Sequence, residues 1–161
     1  MVFRPLTRDD IAALHALEAE SYLPSLHESD EAFIRLIELF PDGAFGCFDD
    51  EGLCGYAFGV PLKAGWTLEL RTPLDGIPDD ADTFYIHDVA VADRCRGRGV
   101  GRALATRLLD LARARGFTRC ELVSVQGSAP FWEKFGFRRV REFEYAPGAA
   151  STKMVRDRPA D

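Results

Sequence analysis

No apolar run in this 161-residue chain approaches the roughly 20 residues that a membrane span requires. Its start, Met1-Val2-Phe3-Arg4-Pro5, lacks the apolar core of a signal peptide, so a cytoplasmic protein with no membrane partner is expected. A basic excess is missing as well. The chain carries 20 Lys+Arg against 26 Asp+Glu, a formal charge of −6, which leaves no general field for attracting nucleic acid. Cysteine is sparse: Cys47, Cys54, Cys95 and Cys120 show no C-x-x-C spacing, so neither a metal site nor a disulfide framework is expected. Arg94 and Arg96 flank Cys95, and positive charge lowers a thiol pKa, yet no paired base stands beside it and it reads as a loop cysteine. Internal repeats and low-complexity segments are also missing.

With 47% hydrophobic and 29% charged residues, the composition is that of one compact globular domain, expected over residues 1–155, with 156–161 as a solvated tail. Val2 to Leu6 reads as a short strand, and Thr7-Arg8-Asp9-Asp10 caps a first helix bearing Ile11, Leu14 and Leu17. Ser29 caps a second helix, with Phe33, Ile34, Ile37 and Phe40 at helical spacing, that stops at Pro41-Asp42-Gly43. Residues 44–48 and 53–60 form a predicted hairpin. The stretch from Pro61 to Thr83 reads as a loop with a strand around Thr67 to Leu70, and its acids Glu69, Asp75, Asp79, Asp80 and Asp82 either face a cationic substrate or are simply solvated. Phe84 to Ala92 is the most strand-like segment, followed by an amphipathic helix over 100–115 with Leu104, Leu108 and Leu111 on its apolar stripe. A strand over 120–125, a short helix over 128–134 and a late edge strand over 137–145 complete the order.

The strongest local signal is Arg96-Gly97-Arg98-Gly99-Val100-Gly101, set between the strand ending near Ala92 and the helix bearing Leu104. Closely spaced glycines let backbone approach a ligand, and N–H groups at a helix start cradle anions. Arg96, Arg98 and Arg102 add charge-assisted donors, so the natural guest is a diphosphate. A nucleoside-triphosphate loop would need Gly-Lys-Ser/Thr where Gly101-Arg102-Ala103 stands. A dinucleotide fingerprint would need its third glycine at Arg102 or Leu104.

The pattern Arg96-x-x-Gly99-x-Gly101 resembles the diphosphate loop of the GNAT acyltransferases. Tyr85-Ile86-His87-Asp88-Val89-Ala90-Val91 is similar to that family's central strand, and Ser128-Ala129-Pro130-Phe131-Trp132-Glu133-Lys134-Phe135-Gly136-Phe137 to its second signature. The resemblance covers roughly residues 84 to 140 and implies an α/β fold: a mixed, mostly antiparallel central sheet flanked by helices, with splayed central strands. It further implies acetyl-coenzyme A as co-substrate, no metal, and a small-molecule or peptide amine as acceptor; dimerisation is common in the family. Backbone groups of Val89, Ala90 and Val91 would hold the pantetheine arm, residues Arg96 to Arg102, including Val100, the diphosphate, and Ser128, Phe131 and Trp132 the thiol end. His87 stands where relatives carry a carboxylate base, and an imidazole pKa of about 6.5 suits a base at neutral pH. Asp88 is the adjacent candidate, with a bulge deciding which way the two face. Trp132 stands where the family often has a proton-donating tyrosine, and an indole cannot serve as that acid. Val125 or Gln126 replaces a frequent asparagine. A non-catalytic acyl-coenzyme A sensor and a dinucleotide-binding protein are the alternative readings.

Overall fold

The computed structural model describes residues 1–158, which form seven strands in one sheet with helices on both faces. The strands are β1 (Val2–Pro5), β2 (Ala44–Asp49), β3 (Gly52–Leu62), β4 (Thr83–Val91), β5 (Arg119–Val125), β6 (Arg138–Ala146) and β7 (Ala149–Asp157), in the order β1-β2-β3-β4-β5-β7-β6. All neighbours are antiparallel except β4 and β5. The helices are α1 (Ile11–Ser21), α2 (Asp30–Leu39), α3 (Val100–Ala114) and α4 (Ala129–Glu133). Among the described residues no helix is long and apolar enough to cross a membrane.

Local chemistry sets the helix starts. Thr7 forms a capping box in which its backbone N–H donates to Asp10 Oδ2 at 2.8 Å, while the Arg4 guanidinium grips both Asp10 oxygens at 2.9 Å. Ser29 Oγ accepts the Ala32 N–H at 3.2 Å and begins α2. Phe33 of α2 stacks on Phe58 at 5.1 Å, so Tyr56 and Phe58 of β3 face α1 and α2. The opposite face of β3 carries glycine because α3 lies against it. A methyl group on Gly59 would fall 2.6 Å from the Phe84 ring and 3.0 Å from Leu108. Phe33, Tyr56, Phe58 and Phe84 are fully buried, each worth roughly 1.5–3 kcal/mol of transfer free energy.

Two parts of the chain depart from the sequence reading. Thr67 to Leu70 is not a strand; carbonyls of this stretch accept side-chain donors instead, Leu68 from the Tyr145 hydroxyl and the preceding Trp66 from Lys153 Nζ at 3.1 Å. A further strand, β7, slots between β5 and β6 and makes the late strand the sheet's edge. Its polar text conceals a buried position: Lys153 is covered because it pairs with buried Glu121 at 3.0 Å. Arg156 and Asp157, expected in the tail, belong to β7, where Asp157 takes Arg119 and Arg138 at 3.2 Å. The tail's last three residues, 159–161, lie outside the described residues.

Candidate active site

The site is made by a failure of pairing. β4 and β5 run together only from Phe84↔Cys120 to Ile86↔Leu122, then diverge. Between them opens a cavity of about 580 Å³, lined on one side by His87 to Val91 and on the other by Leu122 and Val123. The divergence coincides with a bulge: Phe58 pairs with Asp88 but Gly59 pairs with Ile86, so His87 is the extra residue of β4. Strand alternation would send His87 and Asp88 to opposite faces. The bulge places both on the α1 and α2 side, where Asp88 meets Tyr56 and His87 meets Glu28.

Register also fixes which backbone groups of β4 face the cleft. The Ala92 N–H donates to Cys54 O at 2.7 Å, so Ala92 and Ala90 turn their amides toward β3 and the alternate residues, Val91 and Val89, turn theirs toward the opening. The Val89 carbonyl there accepts the Tyr22 hydroxyl at 2.8 Å.

The glycine segment sits at the start of α3, with Gly97 and Gly99 at φ of 76° and 79° and no heavy atom within 4 Å of where a side chain would begin. Only glycine holds this geometry at no steric cost while leaving the space above the α3 N-terminus open to an anion. Arg96, Gly97, Gly99, Val100, Gly101 and Arg102 all line the cavity. Arg98 does not line it: its guanidinium lies at 3.3 Å from Asp49 instead. Ser128, Phe131 and Trp132 line the far end, and Trp132 is also core, edge-on to Phe137 at 5.7 Å.

The two candidate bases differ in availability. Asp88 has both oxygens engaged, Oδ1 by the Tyr22 hydroxyl at 2.9 Å and Oδ2 by Tyr56 at 2.8 Å. Burial pushes its carboxyl up to about 6, against the opposing pull of His87 and the tyrosines. His87 donates from Nε2 to Glu28 Oε2 at 2.8 Å, and its Nδ1 has no partner among the described residues. Burial lowers the imidazole pKa, but the Glu28 hydrogen bond and the charges of Glu28, Asp88 and Glu18 outweigh it, so the net shift is upward. Ser21 Oγ, at the end of α1, is the other buried polar side-chain atom without a partner, and Ser21 lines the same cavity. A site offering two unsatisfied polar atoms beside an unpaired strand edge and an anion cradle fits a long ligand with a diphosphate at one end and amides along its arm.

Tyr22, Tyr56, Glu28 and Ser21 were invisible to motif reading, because they come from the end of α1, the α1–α2 connection and β3 and are brought to β4 by the fold alone. Gln126 was noted only as a replacement. Its amide crosses the mouth of the cleft, donating to Ser21 O and accepting from Leu23 N, both at 2.9 Å. The acids of the long loop do not gather at the site: Asp80 and Asp82 pair with Lys63, and Asp82 also accepts the Ala64 N–H at 2.8 Å. Cys95 is a buried core residue rather than a loop cysteine, with Cys54 and Asp49 beside it. Burial, with hydrogen bonds to Cys95 and Asp49, pushes the Cys54 thiol up to about 12, and Arg94 already occupies the Asp49 carboxylate at 2.8 Å.

The sequence model of the Acetyltransferase (GNAT) family matches residues 11–137. The chain belongs to that family. Among curated proteins it is 43% identical over 54 residues to a glucosamine 6-phosphate N-acetyltransferase of Trypanosoma brucei brucei, a match spanning 34% of this chain and 37% of that protein. Among solved structures, the GNAT-like decarboxylase GphF in complex with isobutyryl-CoA superposes with a TM-score of 0.78 at 18% identity, covering 98% of this chain and 99% of the other. Naa20 of Chaetomium thermophilum with a bisubstrate analogue gives 0.75 at 16% identity, covering 98% and 86%. At such identities the likeness shows the fold. Arg96, Gly97, Gly99, Val100 and Gly101 of the first GNAT signature and Ser128, Phe131 and Trp132 of the second line one cavity.

Proposed function

We propose that this GNAT protein transfers the acetyl group of acetyl-coenzyme A to a primary amine of a small molecule or peptide by direct attack. The observation that carries this reading is the convergence at the bulge of β4, where the free strand edge and the anion cradle open onto one cavity that is also lined by His87, whose Nδ1 has no partner among the described residues. The diphosphate rests on the backbone of residues 96–101 with Arg96 and Arg102 as counter-charges. The pantetheine arm runs along Val89 and Val91 as an added strand, which brings the thioester to His87.

An amine arrives mostly protonated, so His87 Nδ1 takes its proton directly or through one water. The amine nitrogen then forms a bond to the thioester carbon, and the carbonyl oxygen gathers charge beside the splayed backbone of β4. Collapse breaks the C–S bond, and the second proton of the attacking nitrogen passes through water to the departing thiolate, leaving the neutral amide and the free thiol. The Trp132 indole N–H is too weak an acid to protonate that thiolate, and a leaving thiol with a pKa of about 8.5 is protonated through water without a dedicated acid. Support for an amine acceptor comes from the relative named for N-acetylation of glucosamine 6-phosphate, and support for an acyl-coenzyme A donor from the isobutyryl-CoA held by a structural neighbour.

The test is release of the coenzyme A thiol from acetyl-coenzyme A across polyamines, amino acids, amino sugars and peptide N-termini. Release that depends on at least one amine is expected. Tight acetyl-coenzyme A binding with no acceptor-dependent release from any class would instead identify a sensor.

A further inference from the structure

Glu28 lies in the connection between α1 and α2, and its carboxylate is oriented from three directions. Oε1 accepts the backbone N–H of Ser29 at 3.2 Å and that of Arg71, while Oε2 accepts Nε2–H of His87 at 2.8 Å. Arg71 is set for this contact by a left-handed φ of 58°, and its guanidinium clamps the same connection through the carbonyls of Ser25 at 3.1 Å and His27 at 2.8 Å. The side chains of His87 and Glu28 are only 3% and 2% exposed. Solvent therefore does not compete for the hydrogen bond.

A carboxylate oxygen only accepts, so Nε2 must carry the hydrogen. In the neutral ring Nδ1 is then the bare nitrogen, and it is the one without a partner among the described residues. We infer that Glu28 is a positioning residue that fixes the His87 imidazole in the tautomer whose Nδ1 lone pair is free to take the proton of the acceptor amine. This rests on the reading of His87 as the base. The other titratable groups around the pair are Glu18 on α1, Asp88 and Tyr85 on β4, Tyr145 on β6 and Arg71 on the 63–82 connection. None of them substitutes for Glu28. Glu18 is spent on His15 and the Glu28 N–H, Asp88 on its two tyrosines, and Tyr145 on Leu68 O.

Glu28→Gln is the discriminating variant. Its carbonyl oxygen still accepts from Ser29 and Arg71, but its amide presents N–H to Nε2, which must then accept, moving the ring hydrogen to Nδ1. Acceptor-dependent kcat/KM should fall about 30-fold, in the range seen when a carboxylate that orients a functional histidine is removed. Acetyl-coenzyme A affinity and melting temperature should change little. The acidic limb of the pH–rate profile should move to lower pH, because an anion beside imidazole favours the protonated ring and its removal lowers that pKa. Ring ¹⁵N spectra, tractable in a chain with three histidines, should show the hydrogen switch from Nε2 to Nδ1. In a His87→Gln background the second change should cost nothing further. An unmoved limb, an unchanged tautomer, or the same cost in that background would overturn the inference. If His87→Gln alone left turnover and pH profile intact, the base reading would fall and this inference with it; loss in His87→Gln with a neutral Glu28→Gln would remove only the role of Glu28.

Discussion

Replacing His87 with glutamine is expected to lower acceptor-dependent kcat about a thousandfold, within the span for losing a general base, while acetyl-coenzyme A binds nearly as before. Glutamine is preferred to alanine because its amide can still donate to Glu28 Oε2, which His87 Nε2 now reaches at 2.8 Å. Removing the donor altogether would leave a buried acceptor unsatisfied, at about 1–3 kcal/mol, and would mix a folding defect into the kinetics. Glutamine cannot accept a proton from an ammonium ion. A folded His87→Gln protein with parental kcat and pH profile would transfer the role to Asp88 or to water.

The cofactor end should be as sensitive, for a different reason. Gly99→Val is expected to weaken acetyl-coenzyme A binding about 100-fold, since losing two charge-assisted backbone contacts of about 1.5 kcal/mol each exceeds one decade per 1.4 kcal/mol. Gly99 sits at φ 79° immediately before α3, with nothing within 4 Å of its absent side chain. A β-branched residue there both strains the left-handed backbone, by about 1–2 kcal/mol, and fills the cradle from above. Calorimetric titration on protein whose melting curve remains cooperative separates the two effects. Unchanged affinity in the folded variant would mean that the diphosphate lies elsewhere.

Much of this was legible before the fold was known, and the pattern of what was not is physical. The glycine loop, the central strand and the Gly-Phe helix are local signals, because an anion cradle needs closely spaced glycines and a helix start. The capping residues Thr7 and Ser29 likewise announce their helices by neighbours a few positions away. The facing of His87 and Asp88 could not be read, since one extra residue in β4 reverses strand parity and its register depends on β3. The partners of the two candidate bases were beyond reach for a related reason. Tyr22, Glu28 and Tyr56 lie on a helix end, a connection and a strand remote in sequence, and only the packing of α1 and α2 on β3 unites them with β4. β7 was hidden by its composition, where a lysine marks a buried position because Glu121 compensates it. Arg98 shows the converse: its place in the loop suited a phosphate, but Asp49 at the turn of the β2–β3 hairpin claims it.

The central claim is that the unpaired edge of β4 is where acetyl-coenzyme A lies. Amide hydrogen exchange at single-residue resolution tests it most directly, because Val89 and Val91 turn toward the cleft while Ala90 between them turns toward β3. Saturating acetyl-coenzyme A should slow exchange at Val89 and Val91 well beyond any change at Ala90, whose amide is already in the sheet. Exchange at Val89 and Val91 that stays as fast with bound acetyl-coenzyme A as without it would contradict the account.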